Sequence, residues 1–274
     1  MIPKISESAQ GLVAAEFGVT QVSALLFLVA AVVSLAFWFA RKETIGKLGW
    51  AISLISTIAL TVSIALRYIN VGHIPYVQLY ETFLFTAWCV AVVAVIADQV
   101  AGNRLPTTVA NILNGLTLLY IVQWPEMSRE GTALVPALQS PWLDVHIATC
   151  FLSYAGLAIS ASASVIYLVN RNEKVDELSY RLVTFAFPLL GLGILLGAVW
   201  ANEAWGRYWG WDPKETAALV TWLVYAGYLH ARLVLGWKGV RASWLNLIGF
   251  ACVLFTWLGL NLLTGVIESL HAYT

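Results

Sequence analysis

Four tryptophans fall within twelve residues of this 274-residue chain: Trp200, Trp205, Trp209 and Trp211, in the stretch WANEAWGRYWGWDPKETAALVTWLVYAGYLH (200–230). In a membrane protein such residues usually form an interfacial belt spread over many helix ends. Here they are concentrated in one segment, with Gly206 and Gly210 among them and an acidic helix start behind them. The chain carries four histidines, His73, His146, His230 and His271. A flat aromatic surface with imidazoles around it suits a large planar ligand that holds a metal, and haem is the candidate.

The tryptophan segment has a local logic of its own. In Trp211-Asp212-Pro213-Lys214-Glu215, Asp212 is a good N-cap and Pro213 takes the first helical position, where a missing N–H costs nothing. Glu215, at the third helical position, can reach back and close an Asp version of the capping box, so a helix is expected to begin at Pro213. Gly206 and Gly210 let the backbone turn or approach a ligand closely. Trp205 and Trp209 would share a face if that piece is helical. Arg207 can grip a carboxylate bidentately, as a haem propionate would require. Equally, it can pair with Glu203 four residues away. On these features alone, a helix cap plus an interfacial belt competes evenly with a ligand site.

The elements that must position these residues are membrane helices. Sixty per cent of the chain is hydrophobic and only 11% charged, with a mean hydropathy of +0.78, whereas a soluble domain is about a quarter charged. The 15 basic and 15 acidic residues cancel, which leaves no basic face for nucleic acid. Cys89, Cys150 and Cys252 lie far apart inside apolar runs with no CxxC, so packing is expected of them rather than thiol redox or structural zinc. Eight apolar runs approach the roughly 17–25 residues that span a bilayer: about 21–40, 48–66, 79–97, 107–123, 145–169, 182–200, 215–235 and 244–266. The fourth is interrupted by Asn111 and Asn114, and the sixth contains Pro188. The first is not expected to be a cleaved signal, because its basic pair Arg41-Lys42 follows it.

With the N-terminus outside, Arg41, Lys42, Lys47, Arg104, Arg171, Lys174, Arg181, Arg232, Lys238 and Arg241 fall inside, and only Lys4, Arg67, Arg129, Arg207 and Lys214 outside. The positive-inside rule favours that choice. The expected fold is an all-α integral membrane protein. It is a polytopic bundle of about eight transmembrane helices with both termini on the outer (periplasmic or lumenal) side. It forms a single membrane domain over 1–274, with the tryptophan-rich segment at 200–217 within it. This topology puts His73, His146 and His271 on the outer face with the tryptophans. His230 is about 15 residues into the seventh run, roughly 22 Å down at 1.5 Å per residue, and is expected to be buried in the inner leaflet. An intramembrane histidine is by default functional. His73, before Ile-Pro in a turn, is expected to make a loop hydrogen bond, and Arg67 and Glu81 could pair with each other.

WGRYWGWDPKE followed by TWLVYAGYLH resembles the tryptophan-rich WWD domain of haem-handling proteins: the CcsA/ResC-type subunit of the system II cytochrome c synthase and its system I relatives. RYINVGHIPYVQLYETFLFTAW (67–88) is similar to the GHxPxxxxYE segment of the CcsA type, although Gln78 stands where an Asn is expected. The resemblance covers most of 67–274. It implies that His146 and His271 are axial ligands of haem iron at an outer site built on Trp200, Trp205, Trp209 and Trp211, with Asp212 and Arg207 in the same segment. It implies that His230 ligates haem in transit, paired with a histidine of a ResB/CcsB-type membrane subunit.

The implied chemistry is thioether formation: the two thiols of a CxxCH motif in an exported apocytochrome c add to the vinyl groups of a non-covalently held haem b. A rigid aromatic shelf would fix the porphyrin plane within reach of the thiols, and the reactivity belongs to cofactor and substrate rather than to a covalently acting side chain of this chain. A thiol-reducing pathway would be needed indirectly. The resemblance implies a holocytochrome c synthase subunit in a bacterial plasma (inner) membrane, or in a thylakoid membrane if the source is a cyanobacterium or plastid. Two other readings fit the residues: a haem carrier that leaves ligation to another protein, and a b-type electron-transfer subunit. The last normally pairs histidines within the bilayer, and only one histidine is expected there.

Overall fold

A computed structural model of the chain describes residues 7–124 and 134–263. All regular structure among them is helical: α1 (Glu7–Ala40), α2 (Glu43–Val71), α3 (Leu79–Ala101), α4 (Leu105–Gln123), a 3₁₀ turn (Pro136–Leu138), α5 (Pro141–Asn170), α6 (Glu173–Trp205), α7 (Pro213–Leu233) and α8 (Val240–Leu254). The last runs on through a π-helical turn (Phe255–Gly259) into Leu260–Leu262. The chain is a multi-pass membrane protein: among the described residues seven helices, α1 to α6 and Val240–Gly259, are long and apolar enough to cross a bilayer. The remaining expected run forms as α7, 21 residues long. It carries Lys214, Glu215, His230 and Arg232 and does not reach the same apolarity. The helices group into two compact units, Met1–Leu134 and Val135–Thr274.

In the first unit α1 packs on α2 and α4, and α3 packs on α4 and α2. Phe27, Leu60, Tyr80, Leu84 and Leu118 are fully buried at its centre. Asn111, which interrupts the fourth apolar run, joins three helices: its Nδ2 donates to Ser34 of α1 (3.1 Å) and its Oδ1 accepts from Ser53 of α2 (2.8 Å). Bonds of this kind between membrane helices contribute about 0.6–2 kcal/mol each. The expected Arg67–Glu81 pair forms at 2.9 Å. A third buried charge, Glu16 of α1, approaches Arg67 at 3.6 Å and accepts the Tyr80 hydroxyl at 2.7 Å. Glu81 also accepts the backbone N–H groups of Val77 and Gln78, which starts α3. His73 is buried, its Nδ1 2.9 Å from the carbonyl of Ile74, the loop contact expected of it.

In the second unit α5 packs along α6 and α8, and α7 packs on α8 and α6. Helices α5 and α6 run antiparallel and approach closely because small residues line the seam. Ser153 donates to the Ala186 carbonyl (2.8 Å) and Ser160 to that of Ser179 (2.8 Å). A Cβ on Gly156 would sit 3.2 Å from that of Ala186. Asn246 of α8 reaches into the seam and donates to Ser160, Ser164 and Ser179 at 2.9–3.0 Å. Pro188 does not end α6, which continues to Trp205. At the other end of the unit, Asp176 accepts both Nη1 contacts of Arg232 (2.9 and 2.7 Å) and the N–H of Gly239 (3.1 Å). This holds the end of α7 and the turn after it against the start of α6, with the Arg232 guanidinium 4.7 Å above the Tyr180 ring.

Candidate functional site

The site is built where α5 begins and α6 ends. Ser140 caps α5 by accepting the N–H of Trp142, and its hydroxyl donates to Glu203 near the end of α6. Ala137, in the 3₁₀ turn just before, accepts the indole N–H of Trp200 at 2.8 Å. These two bonds clamp the entry of α5 to the exit of α6. His146, half-buried one and a half turns into α5, is held on the far side of the same seam: its Nδ1 lies 2.7 Å from the Gly193 carbonyl. The Cys150 sulfur is 3.8 Å from the same nitrogen. The imidazole lies almost parallel to the Trp200 indole, ring centroids 6.4 Å apart and planes 14° apart. Trp205 closes edge-on against Trp200 at 4.8 Å. Trp200 itself is 2% exposed, so it forms the floor of the site rather than an open shelf.

After Trp205 the chain leaves the helix. Gly206 takes a left-handed conformation (φ +72°) and its N–H closes on the Asn202 carbonyl, ending α6. Trp205 and Trp209 therefore do not share a helical face. Trp209 instead packs edge-on against Trp211, 5.7 Å apart at 89°. Trp211 is 69% exposed and has a positive φ of 59°, sparsely populated for a residue with a Cβ. The expected helix start is present: Asp212 accepts the Lys214 N–H at 3.0 Å, and Glu215 reaches back to the N–H groups of Asp212 (3.1 Å) and Gly210 (2.9 Å). That double contact holds the loop in its strained turn. Lys214 donates to Asn261 of the last helical turn at 2.7 Å. Glu203 is engaged by Ser140, and Arg207 makes no ion pair among the described residues. The exposed Arg207 guanidinium instead packs over Gly210, where a Cβ would sit 2.7 Å from its Nε.

The structure thus brings His146, Trp200 and Trp205 into one cluster, and Trp209, Trp211, Asp212 and Arg207 into the adjoining loop. His230 is elsewhere, 17 residues on from Pro213 and so about 26 Å along α7. Its side chain is exposed on the helix flank rather than packed among the helices of the unit, on the same stripe as Val220, Leu223 and Gly227. His271 lies outside the described residues. No sequence motif marks Gly193, Gly197, Ala137 or Ser140. Glu203, which its spacing offers to Arg207, is taken by Ser140 instead. Phe151, next to Cys150 in sequence, meets Trp257 of the π-helical turn edge-on at 5.8 Å, and π turns are frequent at functional sites.

Fold and site together define a class: a polytopic helical membrane protein with a histidine set against a tryptophan near the end of the neighbouring helix, which a tryptophan-rich loop follows. Residues 76–267 match the cytochrome c assembly protein family. The chain belongs to that family, and within it to the CcsA type. It is 33% identical over 290 residues to the cytochrome c biogenesis protein CcsA of Guillardia theta, covering 91% of this chain and 94% of that one. To CcsA of Chlamydomonas reinhardtii it is 38% identical over 240 residues, 80% of this chain and 66% of that one. To CcsA of Gloeobacter violaceus it is 32% identical over 318 residues, 91% and 93% respectively. Among solved structures the cytochrome c haem lyase CcmF shares the fold, with a TM-score of 0.68 at 18% identity over 93% of this chain. The chain spans about half of that structure, 47%.

Proposed function

We propose that this cytochrome c assembly protein handles haem b as cargo and presents it for attachment to the CxxCH motifs of exported apocytochromes c, as one subunit of a membrane synthase. The observation that carries this reading is the His146 site: an imidazole locked by a backbone carbonyl and set parallel to a buried tryptophan, inside the family-matched segment. The donor set fits haem. An imidazole nitrogen is a suitable axial ligand, and the loop beside it offers exposed Trp211 and Tyr208 for contact with a planar ring. That Arg207 makes no ion pair among the described residues supports a role for it in receiving a propionate. Asp212 and Glu215 hold the loop in shape.

In this reading His146 and His271 are the two axial ligands, on the outer side. Trp200 and Trp205 back His146, and Trp209 and Trp211 border the ring. Bound haem supplies the vinyl groups; each substrate thiol adds its S–H across a vinyl C=C, sulfur bonding to the inner carbon and hydrogen to the outer. His230 serves haem in transit. Its exposed position on α7 leaves room for a second imidazole from a ResB/CcsB-type subunit on the same flank. The membrane is a bacterial plasma membrane or a thylakoid, as the cyanobacterial and algal relatives suggest.

The test is an absorption spectrum of the reduced chain purified with a co-expressed partner. The expected result is a low-spin bis-histidine signal whose haem is extracted by acid–acetone, diminished in His146→Ala and partly restored by external imidazole. A chain that stays haem-free with partner and haem supply present overturns the proposal.

A further inference from the structure

Two pairs of residues meet in register across the α5–α6 seam. His146 and Cys150, one turn apart on α5, face Gly197 and Gly193, one turn apart on α6. A Cβ on residue 197 would lie 2.7 Å from both Cε1 and Nδ1 of His146. A Cβ on residue 193 would lie 2.5 Å from the Cys150 sulfur. Neither approach is tolerated by real side chains, so the ring and the thiol occupy a slot that only glycine leaves open. The floor of the slot is polar. The Gly193 carbonyl is 2.7 Å from His146 Nδ1, and a carbonyl only accepts, so Nδ1 carries the hydrogen. In the neutral ring the lone pair then belongs to Nε2. The carbonyl has two lone pairs and can make this bond beside its helical one.

The geometry points to Gly193 and Gly197 as the positioning residues of His146. The slot sets the plane of the ring, and the Gly193 carbonyl fixes the Nδ1–H tautomer. Nε2 is thereby the nitrogen presented for ligation. Giving the second ring nitrogen to a carbonyl is how metal-binding histidines are generally oriented. The inference rests on the proposed haem site only for what Nε2 binds; slot and tautomer are properties of the chain itself.

The experiment compares the full chain, with its partner subunit, in wild-type, Gly197→Ala, His146→Ala and Gly18→Ala forms. Gly18 has open space around its Cβ position and controls for a glycine-to-alanine change in a membrane helix. The first readout is solid-state ¹⁵N NMR of histidine-labelled, haem-free protein, with His146 assigned by its disappearance in His146→Ala. Wild type and Gly18→Ala are expected to show a protonated Nδ1 and a bare Nε2. In Gly197→Ala the ring is displaced from the carbonyl and that preference is lost. The second readout is haem affinity, expected to fall about 10- to 100-fold in Gly197→Ala and to recover with added imidazole.

A bare Nδ1 in the wild-type protein overturns the inference whatever the variants do. So does a Gly197→Ala protein with wild-type tautomer and affinity. The expected tautomer and its loss in Gly197→Ala, in a protein that takes up no haem, would sustain the positioning and refute the haem reading instead.

Discussion

Glu215→Ala tests whether the tryptophan loop is held by the helix start behind it. One carboxylate oxygen of Glu215 accepts two backbone N–H groups, from Gly210 at 2.9 Å and Asp212 at 3.1 Å. They flank Trp211, whose positive φ the loop must sustain. Hydrogen bonds to a charged acceptor contribute about 1.5–3 kcal/mol each. Glu215 is half-buried, so solvent screening brings each bond down to about 1–2 kcal/mol, and the pair together is worth about 2–4 kcal/mol. At about 1.4 kcal/mol per decade, the ordered loop loses roughly 25- to 700-fold in population relative to opened forms. Amide exchange of Gly210 and Asp212, followed in the intact protein in detergent, should accelerate by that order. Exchange at Tyr225 and Tyr228, buried in the body of α7, should not change. Cytochrome c yield should fall with the loop, because Trp209 and Trp211 lose their fixed geometry. Unchanged protection of the Gly210 and Asp212 amides would refute the reasoning, and the loop would then owe its shape to its aromatic packing alone.

Three further outcomes are expected. Asp176→Ala strands the buried Arg232 guanidinium and the Gly239 N–H, which should cost about 3–5 kcal/mol in unfolding free energy. A paired Asp176→Leu, Arg232→Met variant should recover most of it, and equal losses in both proteins would contradict the ion-pair assignment. Arg67→Ala leaves Glu16 and Glu81, each 1% exposed, without their cation, so the protein should accumulate poorly. Adding Glu81→Gln should partly restore membrane levels, and no gain would count against the network. His230→Ala should lower haem at the outer site with His146 intact, read as haem per protein against His146→Ala; full outer haem and full cytochrome c yield would make His230 structural.

The helices were legible because apolar length is written directly in composition. Asp212 and Glu215 were legible as a cap because that motif is local, its partners lying within five residues. The Arg67–Glu81 pair was legible because its partners flank a single short connection between consecutive helices, 14 residues apart. Glu16 was not: it lies 51 residues from Arg67 in sequence and joins the pair only because α1 packs against α2. Asn111 looked like a flaw in the fourth apolar run, since hydropathy has no term for a side chain that satisfies itself on two neighbouring helices. The shared face of Trp205 and Trp209 failed on one backbone angle, because Gly206 ends α6 before the spacing can repeat.

The same division explains the site. The types of its residues were readable: tryptophans, a histidine at a helix start, glycines in a loop. Their arrangement depends on the antiparallel register of α5 on α6, which sets 146 opposite 197 and 150 opposite 193, and no local pattern encodes that register. Gly193 and Gly197 pass in the sequence for two more small residues of a glycine-rich run. Only the seam turns one into a hydrogen-bond acceptor and the other into the space a ring occupies. His230 shows the converse. Depth along a helix can be counted in residues, but depth says nothing about direction. The interior side of α7 in that region is taken by Tyr225 and Tyr228, against α6 and α8, which turns His230 to the outer flank beside Gly227. An imidazole exposed to hydrocarbon without a partner is costly. The proposed role of His230 therefore requires something to meet it on that flank, and a helix bringing its own histidine does so with the smallest change to this chain.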